Sequence, residues 1–399
     1  MAGMTSQSEA VVPPEQQSRS SMVFTIDEYK VRYQRLKEGM AENGIDILFS
    51  TMPEQLNYIT GFDPLGVYFY QGMVVAPDFS QPVLITHKCE KELARTQCWI
   101  DDVRVWQHQE DPIALTVTAL REAGIKAGMR LGLEMGNWYL QPSWVERFRQ
   151  ELPGVQIVDA TAMAMELRLI KSPAEIALMR RAAHLADVGF AAAVGSLRSG
   201  VSEFELNAAA LEAMALQGSE YPALPMIIGS GERSGLFHGV PTGRRVSEGE
   251  PVMLEISGVA SRYNSNIVRT VVCGKADATL QTLWSIVTES FWRPFELVRP
   301  GVPVAELDRL SREIRSEYAD YIPARAGFGI GLAYPPVWLG RPDVLVGDPH
   351  ILEPGMIFSL EPSIAQYGGA SVIFGYNILV TETGAEILHK TDHELFEVM

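Results

Sequence analysis

Two glutamates and a histidine are the residues of this chain best placed to do chemistry. Glu255 interrupts the apolar segment from Val252 to Gly258, and Glu361 closes a similar segment that begins at Phe358. A carboxylate isolated in a buried strand is costly unless it is paired or put to use. Each therefore asks for a partner, the plain alternative being a strand-end glutamate that faces water. The two segments echo each other. Glu248 to Glu255 and Glu353 to Glu361 each run from an acidic turn through an apolar strand to a terminal glutamate, although acidic turns before strands are common enough for chance to produce the likeness. Two carboxyls sharing a pocket are driven to different pKa values, one ionised as a base and one protonated as an acid. His238 lies in a loop between apolar segments, Gly229 to Val240, and a loop imidazole can give or take a proton near neutrality. Taken alone it is an ordinary surface residue, as are the histidines at 87, 108, 184, 350, 389 and 393.

The segment from Gly327 to Trp338 is dense in glycine and then aromatic. No strand, turn and helix of dinucleotide-binding type surrounds its alternating glycines, so a nucleotide site is rejected. It reads instead as backbone passing close to a ligand, with Tyr334 and Trp338 as an apolar wall. A tight irregular loop with core aromatics accounts for the same letters.

These residues must be positioned by two domains. After a polar tail over 1–22, a helix over 29–43 and a strand over 45–50 open an α/β unit. Strands follow near 71–76, 82–86, 102–106 and 130–134, with helices near 88–98, 112–124 and 142–151. This smaller N-terminal α/β domain spans 23–160. Ser172, Pro173 and Glu175 form an N-cap, a first-turn proline and a capping box ahead of the apolar periodicity over 176–194. In the second domain, 161–399, a helix near 202–217 leads to the glycine-rich loop and to strands near 252–258 and 263–272. Helices near 278–298 and 304–319 follow, then strands near 355–361, 371–381 and 385–388. Helices and antiparallel-type strands mix without βαβ alternation, which predicts an α+β fold.

Composition narrows the function. The 399 residues, 47% hydrophobic, are enough for two cores. With 33 Lys plus Arg against 49 Asp plus Glu, the net charge of −16 argues against nucleic acid. Cys89, Cys98 and Cys273 are far apart and show neither a disulfide framework nor zinc spacing, which fits the cytoplasm. The tail lacks the apolar core of a signal peptide, and no apolar run reaches the ~20 residues of a membrane span. A soluble protein with no membrane role is expected.

The order of His238, Glu255, the stretch from Tyr263 to Thr270, the Gly327 loop and the Glu353–Glu361 segment resembles the pita-bread, or creatinase-like, fold of family M24, shared by methionine aminopeptidase, aminopeptidase P, prolidase and creatinase. The likeness covers most of the chain from Phe24 and implies a C-terminal pita-bread catalytic domain. Metal-dependent members hold their ions with two Asp, one His and two Glu. At the positions that match, this chain carries Glu255, Asn266, Phe328, Glu361 and a site near Gly375. Only two carboxylates remain, too little ligand charge for two divalent ions. The resemblance therefore implies the metal-free branch, with no cofactor and no metal ligand.

Within that branch the chain is most similar to ectoine hydrolase, through Ser219 to Ala223, Leu133 to Tyr139, Gln71 to Val75 and above all Gly331 to Trp338. From Glu361 to Tyr376 it departs from that pattern and keeps a peptidase-like Leu-Glu-Pro-Ser. The implied reaction is opening of a small cyclic amidine, ectoine, to N-acetyl-2,4-diaminobutyrate. Glu255 and Glu361 would hold the amidinium and activate water, His238 would protonate the departing nitrogen, and Asn266, Tyr334 and Trp338 would line the site. A homodimer is implied as well, with Phe24 and Thr25 contributing to substrate binding. Creatinase-type hydrolysis of a guanidino acid is the enzymatic alternative. A catalytically inactive pita-bread module that binds a peptide or protein is the other.

Overall fold

The computed structural model describes residues 21–399, so most of the expected tail lies outside the described residues. The chain forms two compact units, one ending at Leu167 and the other running from Arg168 to Met399. Among the described residues no helix is long and apolar enough to cross a membrane.

The first unit is an α/β sandwich. Its strands are β1 (Ile47–Ser50), β2 (Gly72–Val75), β3 (Val83–His87), β4 (Val103–Trp106), β5 (Arg130–Leu133) and β6 (Gln156–Asp159). They form one sheet in the order β4-β3-β2-β1-β5-β6. The helices are α1 (Ile26–Glu42), α2 (Pro53–Thr60), α3 (Lys91–Gln97), α4 (Pro112–Glu122), α5 (Pro142–Glu151) and α6 (Thr161–Glu166). Thr25 caps α1 by accepting from the Glu28 N–H, which starts that helix before the expected residue 29. Helix α2 was not expected. Its N-terminus is fixed across the chain by buried Glu134, which accepts from the Thr51 and Met52 N–H groups, and no local periodicity shows that.

The second unit contains His238, Glu255 and Glu361. Its helices are α7 (Pro173–Ser196), α8 (Glu203–Leu216), α9 (Ala278–Leu297) and α10 (Val304–Ile314). Helix α10 is shorter than the expected 304–319, since a 3-10 turn over Ser316–Tyr321 takes over. The strands are β7 (Ile227–Ser230), β8 (Pro251–Ala260), β9 (Tyr263–Cys273), β10 (Gly327–Gly329), β11 (Gly340–Val344), β12 (Ile357–Leu360), β13 (Ser363–Tyr367), β14 (Ala370–Val380), β15 (Ala385–Ile387) and β16 (Glu397–Val398). Ten strands make a mostly antiparallel sheet whose main path is β11-β10-β12-β14-β9-β8-β7.

Strand period decides which residues reach the site. Leu254 and Ile256 of β8 join the core made with Phe190 of α7, Leu206 of α8 and Phe291 of α9. Successive side chains alternate between faces, so Glu255 points to the side away from those helices. Gly258 lets α7 press against the sheet. A Cβ there would lie 2.3 Å from the Ala182 carbonyl oxygen.

Candidate active site

Strand pairing builds the site row by row. Glu255 pairs with Val268 across β8 and β9, Val268 pairs with Gly375 across β9 and β14, and Glu361 follows β12 immediately beside Gly375. A Cβ on Gly375 would stand 2.6 Å from the Glu361 Cβ and 2.7 Å from a Val268 methyl. The missing side chain is therefore what makes room between the two glutamates. The next row is polar: Ser257 pairs with Asn266, and Asn377 pairs with Ser359. The echoing segments thus occupy matching outer positions about the β9–β14 centre.

Asn266 joins the two carboxylates. Its Nδ2 donates to Glu255 Oε1 at 3.0 Å and to Glu361 Oε2 at 3.3 Å, and Ser359 Oγ adds a 2.9 Å bond to Glu361. Burial, and then the charge of Glu361, push Glu255 well above the usual carboxylate range. Burial also raises Glu361, to about 7, against the opposing pull of Ser359, Asn266 and more distant Arg325. Two carboxyls that share a site in this way are driven apart in acidity, one partner toward acid and the other toward base.

The pair opens into a cavity of about 980 Å³ whose wall includes Phe237, His238, Arg312, Arg325, Phe328 and Trp338. His238 is exposed on the loop after β7. That loop is fastened by Glu203, which accepts from the Ser230 N–H and Oγ, Arg233 Nε, and the Thr242 N–H and Oγ1. Burial alone would raise Glu203, but the bonds from Thr242 and Ser230 reverse the shift and hold it ionised. Arg325 pairs with Asp343 at 3.0 Å and Arg312 with Asp308 at 2.8 Å. Sequence reasoning missed both arginines, because neither sits in a recognisable spacing.

Of the expected site residues, His238, Glu255, Glu361 and Trp338 reach this cavity, and Asn266 lies behind the carboxylates. Tyr334 does not wall it. It is 1% exposed and packs near Arg262, with the guanidinium 5.9 Å from its ring. The glycines of the Gly327 loop need a different explanation as well, because their close neighbours are strands. Cβ atoms at 327 and 329 would each lie 1.9 Å from a carbonyl oxygen, that of Ser359 and that of Arg341. Phe24 and Thr25 belong to the first unit, where Phe24 stacks on Arg32 at 4.0 Å and Thr25 serves as a helix cap. Two of the histidines expected at the surface, His87 and His389, are buried, at 8% and 6% exposure.

Residues 177–382 match the metallopeptidase family M24, and residues 32–170 match the creatinase/prolidase N-terminal domain. The Xaa-Pro dipeptidase of Pyrococcus furiosus is 31% identical over 370 residues, covering 92% of this chain and 99% of the relative. The chain belongs to family M24. The ectoine hydrolase of Halomonas elongata is 28% identical, covering 94% of this chain and 98% of its own. The solved Xaa-Pro dipeptidase from Bacillus anthracis superposes with a TM-score of 0.82 at 27% identity, covering 92% and 99% of the two chains. The prolidase likeness thus exceeds the ectoine-hydrolase likeness expected from local motifs. Together the relatives mark this M24 chain as a hydrolase without fixing its substrate.

The family name implies metal, which makes the donor set the test. Among the described residues no three His, Cys, Asp or Glu side chains converge as a metal-binding group. Asn266 turns its amide hydrogens, not its oxygen, toward the carboxylates. Phe328 offers no lone pair, and Gly375 offers no side chain. Two hard divalent ions need several anionic or imidazole ligands, and these residues do not fit them.

Proposed function

We propose that this M24 hydrolase cleaves a carbon–nitrogen bond of a small cationic compound without a metal, with ectoine ring opening as the leading reaction. One observation carries the proposal: Glu255, buried, and Glu361, half-buried, share the Asn266 amide, with Phe328 and Gly375 standing where further ligands would be needed. A pair that keeps net negative charge is complementary to one organic cation, through charge-assisted hydrogen bonds. Arg325 and Arg312 on the same cavity wall suit the carboxylate of a zwitterion.

In this reaction the ionised member of the pair takes a proton from water, and the hydroxide so formed bonds to the amidine carbon. The bond from that carbon to a ring nitrogen breaks. His238 supplies the proton that the departing nitrogen needs, leaving an N-acetylated diamine. Trp338 and Phe328 shield the ring from bulk water.

Xaa-Pro dipeptide hydrolysis is the second reading, favoured by the 31% identity to a Xaa-Pro dipeptidase. The deciding experiment assays purified protein on ectoine, creatine and Xaa-Pro dipeptides, each with EDTA and with added Mn²⁺. Ectoine turnover that EDTA leaves untouched is expected. Dipeptide cleavage only with Mn²⁺ would overturn the proposal. It extends to a cytoplasmic homodimer in which Phe24 and Thr25 help bind substrate, and a single species of monomer mass in light scattering would reject the dimer.

A further inference from the structure

We infer that a buried relay of Asn377, Ser265, His389 and Asp187 positions the catalytic carboxylate pair by fixing which way the Asn266 amide points. The inference rests on the proposed role of that pair and adds residues to it that touch no substrate.

An asparagine side chain has a donor end and an acceptor end, and only the donor end is of use to two acidic side chains. If Asn266 flipped, its oxygen would face carboxylate oxygens and the pair would lose the bond that holds its members together. The carboxylates alone do not settle the orientation, because a protonated carboxyl can donate to an amide oxygen. The far end does. Asn266 Oδ1 accepts from Asn377 Nδ2 at 2.9 Å. Asn377 faces the same choice, and its Oδ1 accepts from the Ser265 hydroxyl, which leaves its own NH2 directed at Asn266. Ser265 Oγ lies 3.4 Å from His389 Nε2, and His389 Nδ1 lies 3.1 Å from Asp187 Oδ1. Hydrogen on both ring nitrogens of His389, Nδ1 toward Asp187 and Nε2 toward Ser265 Oγ, is the arrangement that leaves the serine hydroxyl directed at Asn377.

Asp187 is anchored in turn by the Lys390 N–H and the Thr391 hydroxyl, each at 2.7 Å. Burial would raise its carboxyl, but the bonds from His389 and this segment bring it below its ordinary value. The relay thus begins at an ionised group on α7 and ends at the catalytic pair. Asn266, Asn377 and Ser265 are fully buried, so water does not compete for their hydrogen bonds. Polar networks in such surroundings hold orientation well when every member is satisfied. For a core built only for stability, apolar residues of similar volume would serve as well.

The test compares wild type with Ser265→Ala, His389→Leu and His389→Gln. Kinetics are measured on the best substrate from the panel above, and the Asn266 side-chain amide is followed by NMR in protein labelled with ¹⁵N-asparagine. The Asn266 signal is assigned by its absence in Asn266→Ala. Ser265→Ala removes one hydroxyl and little volume, so it keeps the question open if His389→Leu fails to fold. We expect Ser265→Ala and His389→Leu to lower kcat about tenfold or more with KM within about twofold. The Asn266 amide signal should move and its hydrogens exchange faster with water, and His389→Gln, which keeps a polar group between Ser265 and Asp187, should recover most of both. An Asn266 amide signal unchanged in Ser265→Ala and His389→Leu overturns the inference. If wild type turns over none of the substrates, the proposed function fails, while the amide signal still decides the relay.

Discussion

Glu255 and Glu361 are close enough to share one amide group, and their behaviour follows from that. Glu255→Gln keeps the shape and removes one carboxyl of the proposed acid–base pair, so kcat should fall about 10²- to 10⁴-fold with the thermal midpoint maintained. Retained turnover would take Glu255 out of the mechanism. The pair also links stability to pH. Burial raises both carboxyls in the folded state, Glu361 to about 7, so the folded protein holds protons that the unfolded chain has already released. Between the ordinary carboxylate range and about pH 7, stability therefore falls as pH rises. Glu361→Gln removes part of this penalty. Its midpoint should match or trail wild type at pH 5 and gain on it at pH 8, and parallel pH profiles by calorimetry would contradict the raised values. From sequence, the costliness of an isolated buried carboxylate singled out both glutamates, while Arg312, Arg325 and His389 carried no such mark.

At the scale of elements, the site is a product of sheet register. Gly375 is the residue that register makes irreplaceable, because a methyl group there meets the Glu361 Cβ, a Val268 methyl and the Leu360 carbonyl oxygen, all within 3 Å. Gly375→Ala should cost about 1–3 kcal/mol by overpacking and lower kcat by splaying the pair. Denaturant unfolding combined with kinetics checks both effects, and an unchanged kcat would show that the pair tolerates the shift. The principal helices and strands were legible because apolar period and capping residues are local signals: Ser172 and Ser202 each form the full capping box. Helices α2 and α6 and strands β6, β7, β10, β11, β13 and β16 were not. Helix α2 depends on a distant carboxylate, and β10 and β11 on glycines whose close neighbours come from other strands.

At the scale of the whole molecule, a family named for its metals here presents a pair of carboxylates bridged by an amide. Metal should therefore neither protect nor activate this chain. Incubation with EDTA, or addition of Mn²⁺ or Zn²⁺, should leave the unfolding midpoint in place, whereas a saturable rise would signal a bound ion. The sequence by itself determined the family, the α+β class and the residue types at positions 255, 266, 328, 361 and 375, since each is written in residue type and short-range spacing. Only the tertiary structure decided that Glu255 and Glu361 meet, that Tyr334 stays out of the cavity, and that a histidine from the chain's end lies buried behind Asn266. Those facts depend on which strand pairs with which and in what register, and hydrogen bonds between residues a hundred positions apart leave no trace in local periodicity.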